Sequence, residues 1–180
     1  MLFLAPMRKP RKATAEYLEK AAIHYLARHA ASTAGLRRLL ARKVARSASE
    51  HGTDPLEGAK AIEALLAKFT RQGFLDDRAF AALKTTALHR RGMAGRRIRQ
   101  TLAAKGVDAE TADEALAGLA LEHADPEEAA AFALARRRKL GPFRPAPDRA
   151  ARRDKDMAAL ARAGFSWDIV RKVIEADPPG

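Results

Sequence analysis
The sequence has no cysteine. Disulfides, thiolate metal sites and cysteine nucleophiles are therefore excluded. Aromatic residues make up only 6% of the 180 positions, with a single Trp, so alanine and leucine must fill the core. No stretch approaches the ~20 apolar residues of a membrane-spanning helix. The opening MLFLAP is apolar but short, and its cations (Arg8, Lys9, Arg11, Lys12) follow it, the reverse of a secretory signal. A cytoplasmic protein that engages no membrane is the expectation. Val and Ile runs and alternating apolar–polar stretches are missing too, which leaves an all-α chain.

Catalytic patterns are equally scarce. The histidines (His24, His29, His51, His89, His123) are scattered. His24 and His29, five apart, fall on different helix faces, wrong for two ligands of one metal. Asp76 and Asp77 are adjacent, so on a helix they point apart, and a helix cap accounts for at least one of them. Gly92-Met93-Ala94-Gly95 has no Walker lysine or dinucleotide fingerprint beside it and reads as a tight turn. Nothing assembles a nucleophile, a base and an oxyanion site. The expectation is a non-enzymatic protein with no cofactor and no metal.

What the chain does have is helical period, repetition and positive charge. Residues 102–116 (LAAKGVDAETADEAL) and 160–174 (LARAGFSWDIVRKVI) align without a gap, every residue 58 positions from its counterpart. Leu102 falls on Leu160, Gly106 on Gly164, Val107 on Phe165 and Leu116 on Ile174. Each segment reads helix end, glycine, apolar residue, polar cap, helix. A repeated helix–turn–helix unit predicts a modular array that buries apolar faces on neighbours and offers an extended surface to a large partner.

Caps and period divide the chain. Residues 1–13 read as a basic disordered arm and 177–180 as a tail. The first three-helix repeat spans 14–75: Tyr17, Leu18, Ala21, Ala22, Tyr25 and Leu26 on its first helix, Leu36, Leu39, Leu40 and Val44 on its second, and Ile62, Leu65, Leu66 and Phe69 on its third. Residues 47–58, rich in Ser, Gly and Asp-Pro, are expected to form a loop. The second repeat spans 76–124, with Phe80, Leu83, Leu88, Ile98, Leu102, Ala115, Leu116 and Leu119 inward. Asp125-Pro126-Glu127-Glu128 is a helix start and opens the third repeat, 125–176, in which 141–149 reads as a proline-rich linker. Trp167 is expected to pack between units. The fold expected is a tandem, curved and elongated array of three three-helix repeats.

Lys and Arg total 34 against 22 Asp and Glu, a net charge of +12, which favours polyanionic partners. The cations cluster. Arg37, Arg38, Arg42, Lys43 and Arg46 share a stretch without acids. So do Lys84, Arg90, Arg91, Arg96, Arg97, Arg99 and Lys105. Arg136, Arg137, Arg138, Lys139, Arg144, Arg149, Arg152, Arg153 and Lys155 face only Asp148 and Asp154. Each cluster falls at the end of the first helix or along the second helix of its repeat, so a basic stripe suited to a helical polyanion or filament is expected. Acids gather at 108–128 without a cation, as a solvated negative face.

GFLDDRAFA (73–81), RRIRQTLAAKGVD (96–108) and AGFSWDIVRKVI (163–174) strongly resemble the RecX family, bacterial regulators of the RecA recombinase. YLARHAASTAGLRRLLARK (25–43) and IEALLAKFTRQGFLDD (62–77) resemble it more loosely. The resemblance covers about 14–176, with the strings in the family's order. It implies a curved array of three-helix repeats that lies in the groove of the RecA–single-stranded-DNA filament and restrains its growth, ATP turnover, strand exchange and co-protease action. The partners implied are RecA and single-stranded DNA, with duplex DNA second; no spare apolar helix face demands a dimer, so a monomer is expected. The alternative is a helix-turn-helix transcriptional regulator, which would dimerise and prefer one duplex site.

Overall fold
The computed structural model describes residues 11–178, and among these all regular structure is helical. The described chain divides into two compact units at Asp77/Arg78. Most of the basic arm, residues 1–10, lies outside the described residues, as does the end of the tail.

The first unit holds α1 (Ala15–Leu26), α2 (Thr33–His51) and α3 (Pro55–Arg71). Thr14, Ser32 and Asp54 cap them, each accepting a backbone N–H with its side-chain oxygen. Leu18, Leu36, Leu40, Leu66 and Phe69 are sealed at its centre. Each such side chain stabilises the unit by about 1.5–3 kcal/mol relative to exposure. Asp77, closing the unit, accepts the Thr33 N–H at 2.7 Å.

The loop expected at 47–58 shrinks to Gly52–Asp54. α2 runs on to His51 because Ser47 is buried, where its hydroxyl oxygen accepts the Ala13 N–H and the Thr53 hydroxyl. Gly52 then ends the helix with φ +64, and Asp54-Pro55 starts the next.

The second unit contains two helix triads. α4 (Asp77–Arg90), α5 (Gly95–Ala104) and α6 (Ala109–Ala117) form the first, followed by a 3₁₀ turn at Gly118–Leu121. α7 (Pro126–Arg138), a 3₁₀ turn at Gly141–Phe143, α8 (Ala146–Ala163) and α9 (Trp167–Glu175) form the second. The aligned repeat is structural: Leu102 and Leu160 are both fully buried, Val107 and Phe165 nearly so. Gly106 and Gly164 are both left-handed, with φ +82 and +103. Asp108 and Ser166 both cap the helix that follows.

Three expectations change. α4 buries Ala81, Thr85, Leu88 and His89, while Leu83 is 62% exposed; the three- and four-residue steps run through Ala and Thr rather than Leu. The segment expected as a linker at 141–149 is structured: Gly141 and Pro142 are buried in a 3₁₀ turn, and residues 146–149 are the largely exposed first turn of α8. The buried Asp156 accepts the Gly141 N–H at 2.9 Å and pairs bidentately with Arg144 at 2.9 and 2.7 Å, fastening the turn to α8. Trp167 is 58% exposed at the start of α9 rather than packed.

Candidate functional site
Two backbone features bring the second unit's triads together. α5 begins after Ala94, which offers no capping side chain. Its Gly95 N–H is taken at 2.6 Å by Glu127 of the first turn of α7, a carboxylate placed at the positive end of a helix. One turn earlier, Gly92 sits at φ +75, and a Cβ there would fall 2.4 Å from the Leu134 backbone nitrogen of α7. Only glycine lets the α4–α5 turn approach α7 so closely. Ala94 is consequently part of the core of the α7–α9 triad. His89, buried, donates from Nε2 to the Pro126 carbonyl at 2.7 Å and packs on His123.

This junction opens into a groove of about 370 Å³. Its rim carries Arg91, Arg97, Arg137, Arg138 and Arg162; its floor is Leu88, Gly92, Met93, Leu134, Ala159 and Ala163. No carboxylate lines it. Among the described residues none of the five arginines forms an ion pair. Arg97 is held in place, Nη2 donating to the Arg162 carbonyl at 2.7 Å.

The expected stripe is thereby sorted. Of the cations clustered along α5, Arg97 faces the groove. Arg96 and Arg99 line a separate cleft of about 260 Å³ that also holds Asp125 and Glu127. Arg99 pairs with Asp113 at 2.7 Å. Arg90 ends α4, exposed, and Lys105 ends α5. Arg136 stacks over Phe143, 5.4 Å from the ring centroid, and the exposed Lys139 terminates α7 with φ +55. Arg153 pairs with Glu175 at 2.8 Å, and Arg152 lies near Asp156.

In the first unit Arg38, Arg42 and Arg46 follow four-residue spacing along one exposed edge of α2. Lys43 lies over the Tyr17 ring. Arg37 turns aside into a bidentate pair with Glu63, at 2.7 and 2.9 Å. That bond raises the guanidinium's pKa and lowers the carboxylate's. Exposure of both keeps its contribution to stability small.

The acids at 108–128 are not a free negative face. Asp108 caps α6, and its bonds from the Thr111 N–H and hydroxyl lower its pKa. Asp125 caps α7, Glu114 pairs with Arg78, and Glu128 pairs with Lys172. Sequence reading passed over Arg162 because it stands alone among alanines near the end of α8. The signal was available three-dimensionally in the repeat: Arg162 lies two residues before the Gly164 turn, which faces Ala94 and Arg97. Among the described residues no group of His, Asp or Glu could hold a metal, and no helix is long and apolar enough to cross a membrane.

A protein-family model described as RecX, second three-helix domain, matches residues 76–116. The regulatory protein RecX of Myxococcus xanthus is 45% identical over 172 residues, covering 95% of this chain and 91% of that protein. The regulatory protein RecX of Agrobacterium fabrum is 37% identical over 100 residues, covering 56% of this chain and 51% of its own. A crystal structure of RecX from Lactobacillus salivarius superposes with TM-score 0.61 over 89% of this chain and 94% of that one, at 19% identity. A crystal structure of regulatory protein RecX does so with the same TM-score over 90% and 72%, at 20% identity.

Proposed function
Because this chain belongs to the RecX family, we propose that it is a non-enzymatic regulator of the RecA recombinase in DNA repair and the SOS response. In this reading it binds the RecA–single-stranded-DNA filament as a monomer and restrains ATP turnover, strand exchange and co-protease action. The three-repeat division at 14–75, 76–124 and 125–176 belongs to the same proposal, each repeat adding a contact along the filament.

The observation that carries the reading is the separation of the cations into two populations. Arg37, Arg99, Arg144 and Arg153 are matched by the chain's own acids. Arg91, Arg97, Arg137, Arg138 and Arg162 converge on a groove without one. Unmatched, exposed guanidiniums recruit phosphates and acidic surfaces, and both are plentiful on a nucleoprotein filament.

The test is RecA's single-stranded-DNA-dependent ATP hydrolysis on a pre-formed filament, titrated with this protein at near-physiological salt. Turnover should fall at protein levels well below those of RecA, as expected for filament regulation and not for sequestration of DNA. Unchanged hydrolysis at stoichiometric protein, with binding to a preferred duplex intact, would replace the proposal with a helix-turn-helix transcriptional regulator.

A further inference from the structure
We propose that the groove between the two triads of the second unit is a single-strand seat. Its arginines grip backbone phosphates, and its floor receives an adjoining sugar, without reading the base. The proposal rests on the filament reading above and assigns the part of the filament that this groove meets.

The sign and fixing of the groove argue for phosphate. Five guanidiniums surround one concavity with no acid among the lining residues. Their mutual repulsion is a standing cost that an anion relieves. Arg97 is already oriented by the Arg162 carbonyl, and a planar guanidinium presents paired donors matched to phosphate oxygens. The floor cannot collapse, because the Gly92 turn is in backbone contact with α7 at Leu134. Pre-set donors bind without much ordering on arrival.

The size and lining argue for a single strand. A volume of about 370 Å³ is at the small end for ligand sites and suits a fragment of nucleotide size. A duplex holds its phosphates on a stiff convex cylinder and cannot turn one inward; a flexible strand can. Leu88, Leu134, Ala159 and Ala163 offer a surface for the apolar face of a sugar. No aromatic side chain is among the lining residues, so bases find no stacking platform and sequence preference is not expected.

The experiment uses the full chain, a fluorescein-labelled oligo-dT and anisotropy, with the double variant Arg137→Ala/Arg138→Ala. The control variant Lys20→Ala/Lys60→Ala removes the same charge from exposed ion pairs of the first unit. Thermal melts verify that both variants fold. The groove variant should bind oligo-dT about 10- to 100-fold more weakly and flatten the salt slope by about 1.4, for two phosphate contacts on a single strand. The control should stay within about twofold, and oligo-dC should match oligo-dT, since no base is read. Wild-type preference for oligo-dT over a duplex of equal length should be about tenfold, the worth of one lost contact.

Equal losses in groove variant and control would overturn the seat. So would displacement of the oligonucleotide by micromolar pyrophosphate or ATP, which would make the groove a site for free polyphosphate. Retained strand affinity with lost binding to DNA-free RecA would overturn it in favour of an acidic protein surface. The anisotropy assay contains no RecA. Groove-dependent strand binding without any effect on RecA ATPase would therefore sink the proposed function and leave the seat standing.

Discussion
Asp156 and Arg144 concentrate the energetics of a single residue pair. Burial pushes the Asp156 carboxyl up, but the bonds from Arg144 and the Gly141 N–H outweigh it and hold the pKa below the usual carboxylate value. A depressed folded pKa contributes stability that is fully present above the unfolded value of about 3.9 and is lost as pH falls through the folded one. Asp156→Ala should therefore cost about 3 kcal/mol at neutral pH by stranding a half-buried cation and a buried N–H. The gap to wild type should close below about pH 4. Urea melts across that range decide it; a gap independent of pH would mean the loss is packing alone. Sequence reading did not single out Asp156, because its partners are a turn it pins from 12 to 15 positions away. It did place Arg96, Arg97 and Arg99 in one cluster of cations. Helix geometry alone separates them, since one step along α5 turns a side chain by 100°.

At the scale of elements, caps were legible and their absence was informative. Asp54, Asp108, Asp125 and Ser166 stand where α3, α6, α7 and α9 begin. Asp-Pro announced α7 at 125–126 yet passed for loop at 54–55, where the serines of α2 disguised its last turns. The start of α5 has no local signal at all: its acceptor is Glu127, 32 positions away. Two glycines with the same φ of +75 separate backbone strain from contact. Gly73 has nothing within 4 Å of a Cβ, so Gly73→Ala should cost the left-handed strain of about 1–2 kcal/mol. Gly92→Ala adds a clash with the α7 backbone that no rotamer can relieve. It should cost at least about 3 kcal/mol, on the order of 10 °C in Tm. Equal drops in Tm for the two variants would show that the α4–α5 turn is free to move off α7.

For the whole molecule, a net charge of +12 does not by itself say how much charge is available. Arg37, Arg99, Arg144 and Arg153 are matched internally, and the groove gathers around one cavity five arginines without an ion pair among the described residues. If about five phosphates are neutralised, log affinity for oligo-dT should fall against log salt with a slope near −3.5, about 100-fold between 50 and 200 mM. A slope near zero would mean that the chain's own acids already satisfy its cations. The sequence by itself determined the all-helical class, the repeat, most helix starts and the sign of the net charge. These depend on neighbours three or four residues apart, or on summed charge, which the chain displays directly. Only the tertiary structure decided which cations converge. Arg91 and Arg97 reach the same groove as Arg137, Arg138 and Arg162 because Gly92 admits the α7 backbone and Glu127 caps α5. Those contacts span 32 to 42 positions of chain, and no local pattern encodes on which side of a packed helix a charged residue will lie.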